Sequence, residues 1–329
     1  MLIELLMLAG GLALVVKGGG FFVAAAIRLA EFLRLPRVVV GSTLVSLATT
    51  TPELVVSVTA GLHGESGLAI GNAVGSCVCN LGLILGVTGM LATVHVRFRT
   101  LLLPFSVMLG LGLVLVLMTM DHALSRGEGL VLVAVGVGYF IIDFWRHWQD
   151  RGGPAGAEAT EIEEDRTVAR WGWVRTPAGA SVQFLFGAAI VVAGSRLLVD
   201  GASGVALRLG IPALVVGLTV VAVGTSLPEL VTAITSSRRA VGDLAVGNVL
   251  GANIANLSII VGTAAAIQAV GLDRMTQLIS FPAMIAVMVA LLPLLLSKRG
   301  LGRPHGLALL GMYAAYLGGV VGLMLWGAG

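Results

Sequence analysis

The chain reads as an all-α integral membrane protein of ten transmembrane helices, arranged as two inverted-topology repeats of five. Three observations predict this. Hydrophobic residues make up 57% of the 329 residues and charged ones 11%, with a mean hydropathy of +1.01; a soluble protein of this length could not cover that much apolar surface. Residues 41–86 recur at 217–262 with a constant offset of 176 and no gap, 18 of 46 positions being identical. Apolar stretches long enough to cross a bilayer fall into two groups of five, and an odd number of helices per copy forces the copies into opposite orientations.

The first group of spans is expected near 2–24, 36–62, 66–93, 100–119 and 126–145, the second near 181–201, 212–237, 243–270, 278–297 and 304–327. The chain thus divides into a first repeat (1–146, core motif 41–86), a linker (147–180) and a second repeat (181–329, core motif 217–262). The linker holds the one long polar stretch, with the acidic run Glu158, Glu161, Glu163, Glu164 and Asp165. It is too short for a folded regulatory domain and reads as a solvated connection. The opening apolar stretch lacks a basic leader and a cleavage site, so no removable signal peptide is expected. The 46 glycines suit closely packed membrane helices.

Charge sets orientation. Fifteen basic residues lie in loops on the side of the linker and four on the other, with Lys17 inside the first span. The positive-inside rule then places the linker in the cytoplasm and both termini outside a cell membrane. The net charge of +3 and pI near 9.2 reflect this topology rather than nucleic-acid binding. Cys77 and Cys79 stand two apart on a helix, point different ways and cannot readily pair; they read as small packing residues.

The chemistry concentrates in TTTPEL (49–54) and TSLPEL (225–230). Pro52 and Pro228 each remove a backbone donor inside a membrane helix and disturb the preceding turn, freeing carbonyls around Ser46–Thr49 and Ala222–Thr225. An unsatisfied carbonyl in lipid costs several kcal/mol, which a cation would offset. Glu53 lies one turn from Thr49 and Thr50, and Glu229 one turn from Thr225 and Ser226, so carboxylate and hydroxyls share a face. An ionisable side chain in mid-membrane costs about 2.5–3.5 kcal/mol, and this chain keeps one in each copy. An all-oxygen donor set suits hard cations such as Ca²⁺ and Na⁺.

The next helix of each copy supplies amides. Asn72, Ser76 and Asn80 recur every fourth residue, and Asn248 and Asn256 repeat the stripe. For Asn72 and Asn248 hydrogen bonding between helices is the plainer alternative. Gly71/Gly75 and Gly247/Gly251 are GxxxG pairs that permit close backbone approach.

These blocks resemble the alpha-repeats of the cation/Ca²⁺ exchanger superfamily, particularly the Na⁺/Ca²⁺ exchanger family of the prokaryotic, two-repeat type. GTSLPEL with GNVLGANIAN matches well, and ATTTPEL with GNAVGSCVCN slightly less so. The resemblance implies that Glu53 and Glu229 are ligands for which Ca²⁺ and Na⁺ compete. Thr49, Thr50, Ser76, Thr225 and Ser226 would supply further oxygens, the carbonyls of Ser46 and Ala222 would add backbone donors, and Asn80 and Asn256 would complete the middle of the site. It also implies that the first and sixth helices slide across a core to alternate access. Two departures stand out: the family often has an aspartate where Asn256 stands and a serine where Ala252 stands. The formal site charge is then −2, matching one Ca²⁺ or two Na⁺, and the Na⁺ stoichiometry is left open.

The expected activity is secondary antiport of Ca²⁺ against Na⁺ at a midplane two-glutamate site, with H⁺-coupled antiport of Ca²⁺ or another divalent cation as the alternative. The H⁺-coupled branch usually carries a glutamate where Gly75 and Gly251 stand. A channel would have no use for two kinked helices each bringing a carboxylate. No HExxH, Gly-x-Ser-x-Gly or paired-His motif suggests an enzyme. No cofactor is implied, since the ions are cargo, and the partners are those ions and lipid, with no nucleic acid and no obligate protein partner evident.

Overall fold

The computed structural model describes residues 2–63, 66–95, 98–149, 176–209, 222–272, 276–293 and 300–327. Its helices are α1 (Leu2–Leu33), α2 (Arg37–Val40), α3 (Ser46–Thr49), α4 (Thr51–Leu62), α5 (Ser66–Cys79), α6 (Leu85–Leu91), α7 (Phe98–Met118) and α8 (Arg126–Gln149). After the linker come α9 (Pro177–Arg208), α10 (Ala222–Thr225), α11 (Leu227–Arg238), α12 (Gly242–Ala255), α13 (Val261–Ile267), α14 (Phe281–Ala290) and α15 (Arg303–Gly327). Wider π-helical turns join several of them, at Gly41–Val45, Asn80–Ile84, Asn256–Ile260 and Thr276–Ser280.

The duplication is visible element by element. Shifting α3, α4, α5, the Asn80–Ile84 turn and α6 by 176 residues reproduces the bounds of α10, α11, α12, the Asn256–Ile260 turn and α13. Among the described residues six helical stretches are long and apolar enough to cross a membrane: Leu2–Leu33, Ala69–Leu91, Thr100–Met118, Arg126–Gln149, Pro177–Ala202 and Gly242–Ile267. The broken pair Arg37–Thr49 and Thr51–Leu62 makes a seventh. The expected spans at 212–237 and 278–297 fall partly outside the described residues, as does most of the linker. Gly242–Ile267 is 94% buried and Ala69–Leu91 72%, whereas Leu2–Leu33, Arg126–Gln149 and Pro177–Ala202 are 33% buried. The motif helices are therefore the inner ones. The others turn leucines, valines and isoleucines outward, as lipid-facing helices do.

The chain forms two compact units, Met1–Pro52 with Ile142–Asn248, and Glu53–Ile141 with Val249–Gly329. Each draws on both halves of the sequence. In the first unit, α1 and α9 lie against one another with glycines at the crossing. A Cβ on Gly11 would stand 2.8 Å from the Leu198 amide nitrogen, and one on Gly187 2.8 Å from that of Phe22. Phe22 and Phe184 rings pack at 4.7 Å in a core with Val23, Leu35, Val40 and Leu244. Arg208 pairs with Glu4 at 2.7 Å, and Arg28 donates to Gln183 at 3.1 Å, fastening both ends of the pair. Their helices run well past the hydropathy-defined spans because Arg28 and Arg208 find these partners at the ends.

In the second unit, α6 meets α15 across Gly86, Gly89 and Gly306; a Cβ on Gly306 would stand 2.6 Å from the Gly86 carbonyl oxygen. Two short antiparallel links also occur here. Strands β1 (Ala123–Leu124) and β2 (Val270–Gly271) pair Ala123 with Gly271 and Leu124 with Val270, and Val94 bridges Leu301. They fix the loops that follow α6, α7 and α13. Both cysteines are free and buried, in keeping with a packing role.

Candidate functional site

Each copy breaks its first motif helix at the same place. Thr50 separates α3 from α4 with φ −78° and ψ 4°; Ser226 separates α10 from α11 with φ −88° and ψ 10°. The cause is the proline two residues on, which cannot donate into the preceding turn. Glu53 and Glu229 follow in the first turn of α4 and α11, and both are 0% exposed. A carboxylate at a helix N-terminus meets favourable backbone dipoles, but these do not offset full burial on their own.

In the first compact unit the structure places Ser46, Thr49, Thr50, Thr225, Ser226 and Glu229, all buried, with Ala222 opening α10. Neither carboxylate oxygen of Glu229 has a hydrogen-bond partner among the described residues. The Thr49 side chain and the backbone amide of Glu229 itself lie beside the carboxylate, interacting with it without the geometry of a full hydrogen bond. The single proton of the Thr49 hydroxyl is shared between Asn248 Oδ1 at 3.1 Å and the Ser46 carbonyl at 3.3 Å.

One expectation is corrected here. The Ser46 carbonyl is not left bare by the helix break: it accepts from the Thr50 amide at 2.9 Å, the Thr50 hydroxyl at 2.7 Å and the Thr49 hydroxyl. Threonine hydroxyls bond back to carbonyls three and four residues earlier, so they add to the ordinary helical bond that the Ser46 carbonyl keeps, while the carbonyl that loses its donor to Pro52 is that of Ala48, four residues before it. Ser46 and the two threonines are therefore one hydrogen-bonded group.

Close backbone approach holds α12 in place in this unit. A Cβ on Gly247 would overlap the Val38 carbonyl, and one on Gly41 would overlap the Leu244 carbonyl. Only glycine at both positions lets the Arg37–Val45 stretch and α12 touch main chain to main chain. Arg37 and Asp243 pair at 3.2 Å at the end of this contact. Asp143 is 1% exposed, with the Ser42 hydroxyl donating to it at 3.5 Å.

The second compact unit holds Glu53, Ser76, Asn80 and Asn256. Asn72 donates to the Ser57 hydroxyl at 3.1 Å and to the Glu53 carbonyl at 3.4 Å, tying α5 to α4. Asn72 and Asn248 thus both bond between helices. Ser76 Oγ, Asn80 Oδ1 and both amide atoms of Asn256 are buried without hydrogen-bond partners among the described residues. Such atoms are rare in proteins, since each costs about 1–3 kcal/mol. Cations offer the oxygens what hydrogen-bond donors do not provide here.

Two features escaped the sequence. The π-helical turns begin at Asn80 and Asn256 themselves, and such turns often mark functional positions. Asn253 joins the amide group by accepting from Asn80 Nδ2 at 3.0 Å. Its GANIAN context was the only available signal.

Comparison with known proteins bears on the family and the fold. The family model described as "Sodium/calcium exchanger protein" matches residues 3–145 and 180–322, one stretch per repeat. The "Inner membrane protein YrbG" of Escherichia coli (strain K12) is 34% identical over 324 residues, covering 96% of both chains. The "Sodium/calcium exchanger MaX1" of Methanosarcina acetivorans is 32% identical over 341 residues, covering 96% of this chain and 97% of its own. A solved structure of the sodium-calcium exchanger NCX_Mj, soaked with 10 mM Na⁺ and zero Ca²⁺, superposes with a TM-score of 0.80 at 26% identity, covering 95% and 97% of the two chains. Matching along both repeats, in sequence and in three dimensions, the chain is a transmembrane member of the sodium/calcium exchanger protein family.

Proposed function

We propose that the protein is an antiporter that exchanges Ca²⁺ for Na⁺ at a site to which each repeat contributes one glutamate, Glu53 and Glu229. The observation that carries this is the fully buried Glu229 carboxylate, with neither oxygen hydrogen-bonded among the described residues, at the helix break equivalent to the one preceding Glu53. A buried carboxylate left unpaired costs several kcal/mol. A transported cation that pairs with it on arrival and leaves it on departure makes that cost part of the cycle. Supporting it are the names of the relatives, which include sodium/calcium exchangers.

Thr49, Thr50, Ser76, Asn80, Thr225, Ser226 and Asn256 add oxygens around the two carboxylates, with the Ser46 and Ala222 carbonyls as backbone donors. For a Ser46 ligand, the hydroxyls of Thr49 and Thr50 rotate away as the ion arrives. Two carboxylates neutralise one Ca²⁺ or two Na⁺. An uncompensated double charge is costly to move through the membrane interior, so only the occupied site changes sides. Ten spans in two inverted repeats, with the linker cytoplasmic and both termini outside, place such a site near the midplane.

The test is ⁴⁵Ca²⁺ uptake into proteoliposomes loaded with Na⁺ and diluted into Na⁺-free buffer, beside K⁺-loaded vesicles and vesicles with an imposed pH gradient. Uptake that requires internal Na⁺ is the expected result. Uptake driven only by the pH gradient would replace Na⁺ with H⁺ as the coupling ion, and no coupled uptake would overturn Ca²⁺ as the cargo.

A further inference from the structure

We propose that Asn253 is a positioning residue for ion binding, fixing the Asn80 amide so that its oxygen faces the ion, and that the other copy lacks this device because Cys77 stands at the equivalent position. The proposal rests on Asn80 being an ion ligand, as argued above. An asparagine amide has two chemically opposite ends: Oδ1 binds a cation and Nδ2 repels it. A rotation of half a turn therefore changes a ligand into an obstacle.

In the structure Asn80 has no such freedom. Its Nδ2 donates to Asn253 Oδ1 at 3.0 Å, which leaves Oδ1 as the buried, unpartnered end. Asn253 is itself held. Its Nδ2 lies 3.6 Å from Met108 Sδ, and its backbone carbonyl accepts the Cys77 thiol at 3.9 Å. Asn80, Asn253 and Met108 are each 0% exposed. Turning Asn253 alone would set two NH₂ groups face to face, and turning both amides would exchange the Nδ2 contact with Met108 Sδ for an oxygen facing sulfur, so the Met108 contact selects the observed orientation.

The 176-residue offset supplies the internal control, since it maps Cys77 onto Asn253 and Asn80 onto Asn256. Cys77 neighbours Asn256, as Asn253 neighbours Asn80. Its proton is directed to the Asn253 carbonyl, and sulfur is a weak acceptor. The Cys77 sulfur is thus a polar neighbour of the Asn256 amide, too weak an acceptor to form a full hydrogen bond with it, and neither amide atom is held by one among the described residues. One asparagine is thus committed as an oxygen ligand and the other can present either end. A fixed oxygen beside an adaptable one suits a site that must accept ions of different charge and number in turn.

The experiment compares wild type, Asn80→Ala, Asn253→Ala and the double variant for the Ca²⁺ concentration that half-saturates Na⁺-dependent ⁴⁵Ca²⁺ uptake. Loss of a partner that orients a metal ligand costs about 10-fold in affinity. Each single variant is expected to raise the half-saturating concentration about that much, with maximal rate nearly unchanged. The double variant should be no worse than Asn80→Ala, because residues acting through one interaction are not additive. Asn253→Cys, which copies the arrangement at Cys77, should shift as Asn253→Ala does and serves if the alanine variant does not fold. Losses that multiply in the double variant, or an Asn253 variant with unchanged half-saturation, would overturn the positioning role alone. An Asn80→Ala protein with unchanged half-saturation would overturn Asn80 as a ligand and the inference with it. If wild type moves no Ca²⁺, the proposed exchange has failed; Na⁺-induced shifts in melting temperature of the same variants then decide the positioning role by the same criteria.

Discussion

The core motifs of the two repeats share the same helix bounds and differ in side-chain surroundings. Within the core motif, helix breaks, helix lengths and the Asn80–Ile84 and Asn256–Ile260 turns coincide at a spacing of 176 residues, whereas the Thr276–Ser280 turn has no counterpart in the continuous α7. Yet the first copy has Ser76 and Cys77 where the second has Ala252 and Asn253. Asn72 bonds to Ser57, while Asn248 accepts from Thr49. Gly247 lies against the Val38 carbonyl, whereas no described atom lies within 4 Å of a Cβ on Gly71. Duplication preserved the helix breaks that precede the carboxylates, and divergence changed how each copy partners its other buried polar side chains.

The largest effects should ignore this difference. Glu53→Gln and Glu229→Gln are each expected to lower Na⁺-dependent Ca²⁺ uptake by at least about 100-fold, while both proteins remain monodisperse in detergent. Retention of normal transport by either variant would show that the copies are unequal even at the carboxylates. Next in size is the glycine pair. Gly247→Ala forces α12 away from Val38 and should cost about 1–3 kcal/mol, seen as a lowered melting temperature. Gly71→Ala should leave stability unchanged or raise it by up to about 1 kcal/mol through helix propensity. Equal losses at the two positions would remove the contrast.

A smaller gain tests the amides from the other direction. Cys77→Asn gives Asn256 the partner that Asn80 already has, and should lower the half-saturating Ca²⁺ concentration about 3-fold, the worth of one modest hydrogen bond. The smallest expected effect is at Arg37 and Asp243, a partly exposed pair. Asp243→Asn should cost about 0.5 kcal/mol in thermal unfolding and leave transport intact.

What could be read from the sequence followed from physics local to a few residues. Pro52 and Pro228 announced a break, and the structure puts it at Thr50 and Ser226. The uninterrupted apolar runs announced α7 to within two residues and the start of α8 to the residue, its end lying four residues beyond the expected 145. The ends of α1 and α9 were less legible, because hydropathy stops at polar residues and a helix with partners for them does not. The bonding of the Ser46 carbonyl depends on which rotamers Thr49 and Thr50 adopt, and composition does not state rotamers. Asn80 and Asn253 lie 173 residues apart, and nothing in either neighbourhood names the other. The π-helical turns were invisible because a wider turn uses the same residues as an ordinary one. The Ala123–Leu124 pairing is too short for any alternation to show.

Those turns also carry a chronology. A π-helical turn is an α-helix with one residue too many, and everything beyond it is rotated by about 100°. Asn80–Ile84 and Asn256–Ile260 hold that extra residue at matching positions, between helices of matching length. Two independent insertions would have had to strike the same place twice. One insertion in a single ancestral half, copied when the gene doubled, accounts for both, so the asparagine-bearing kink is older than the two-repeat protein that now contains it.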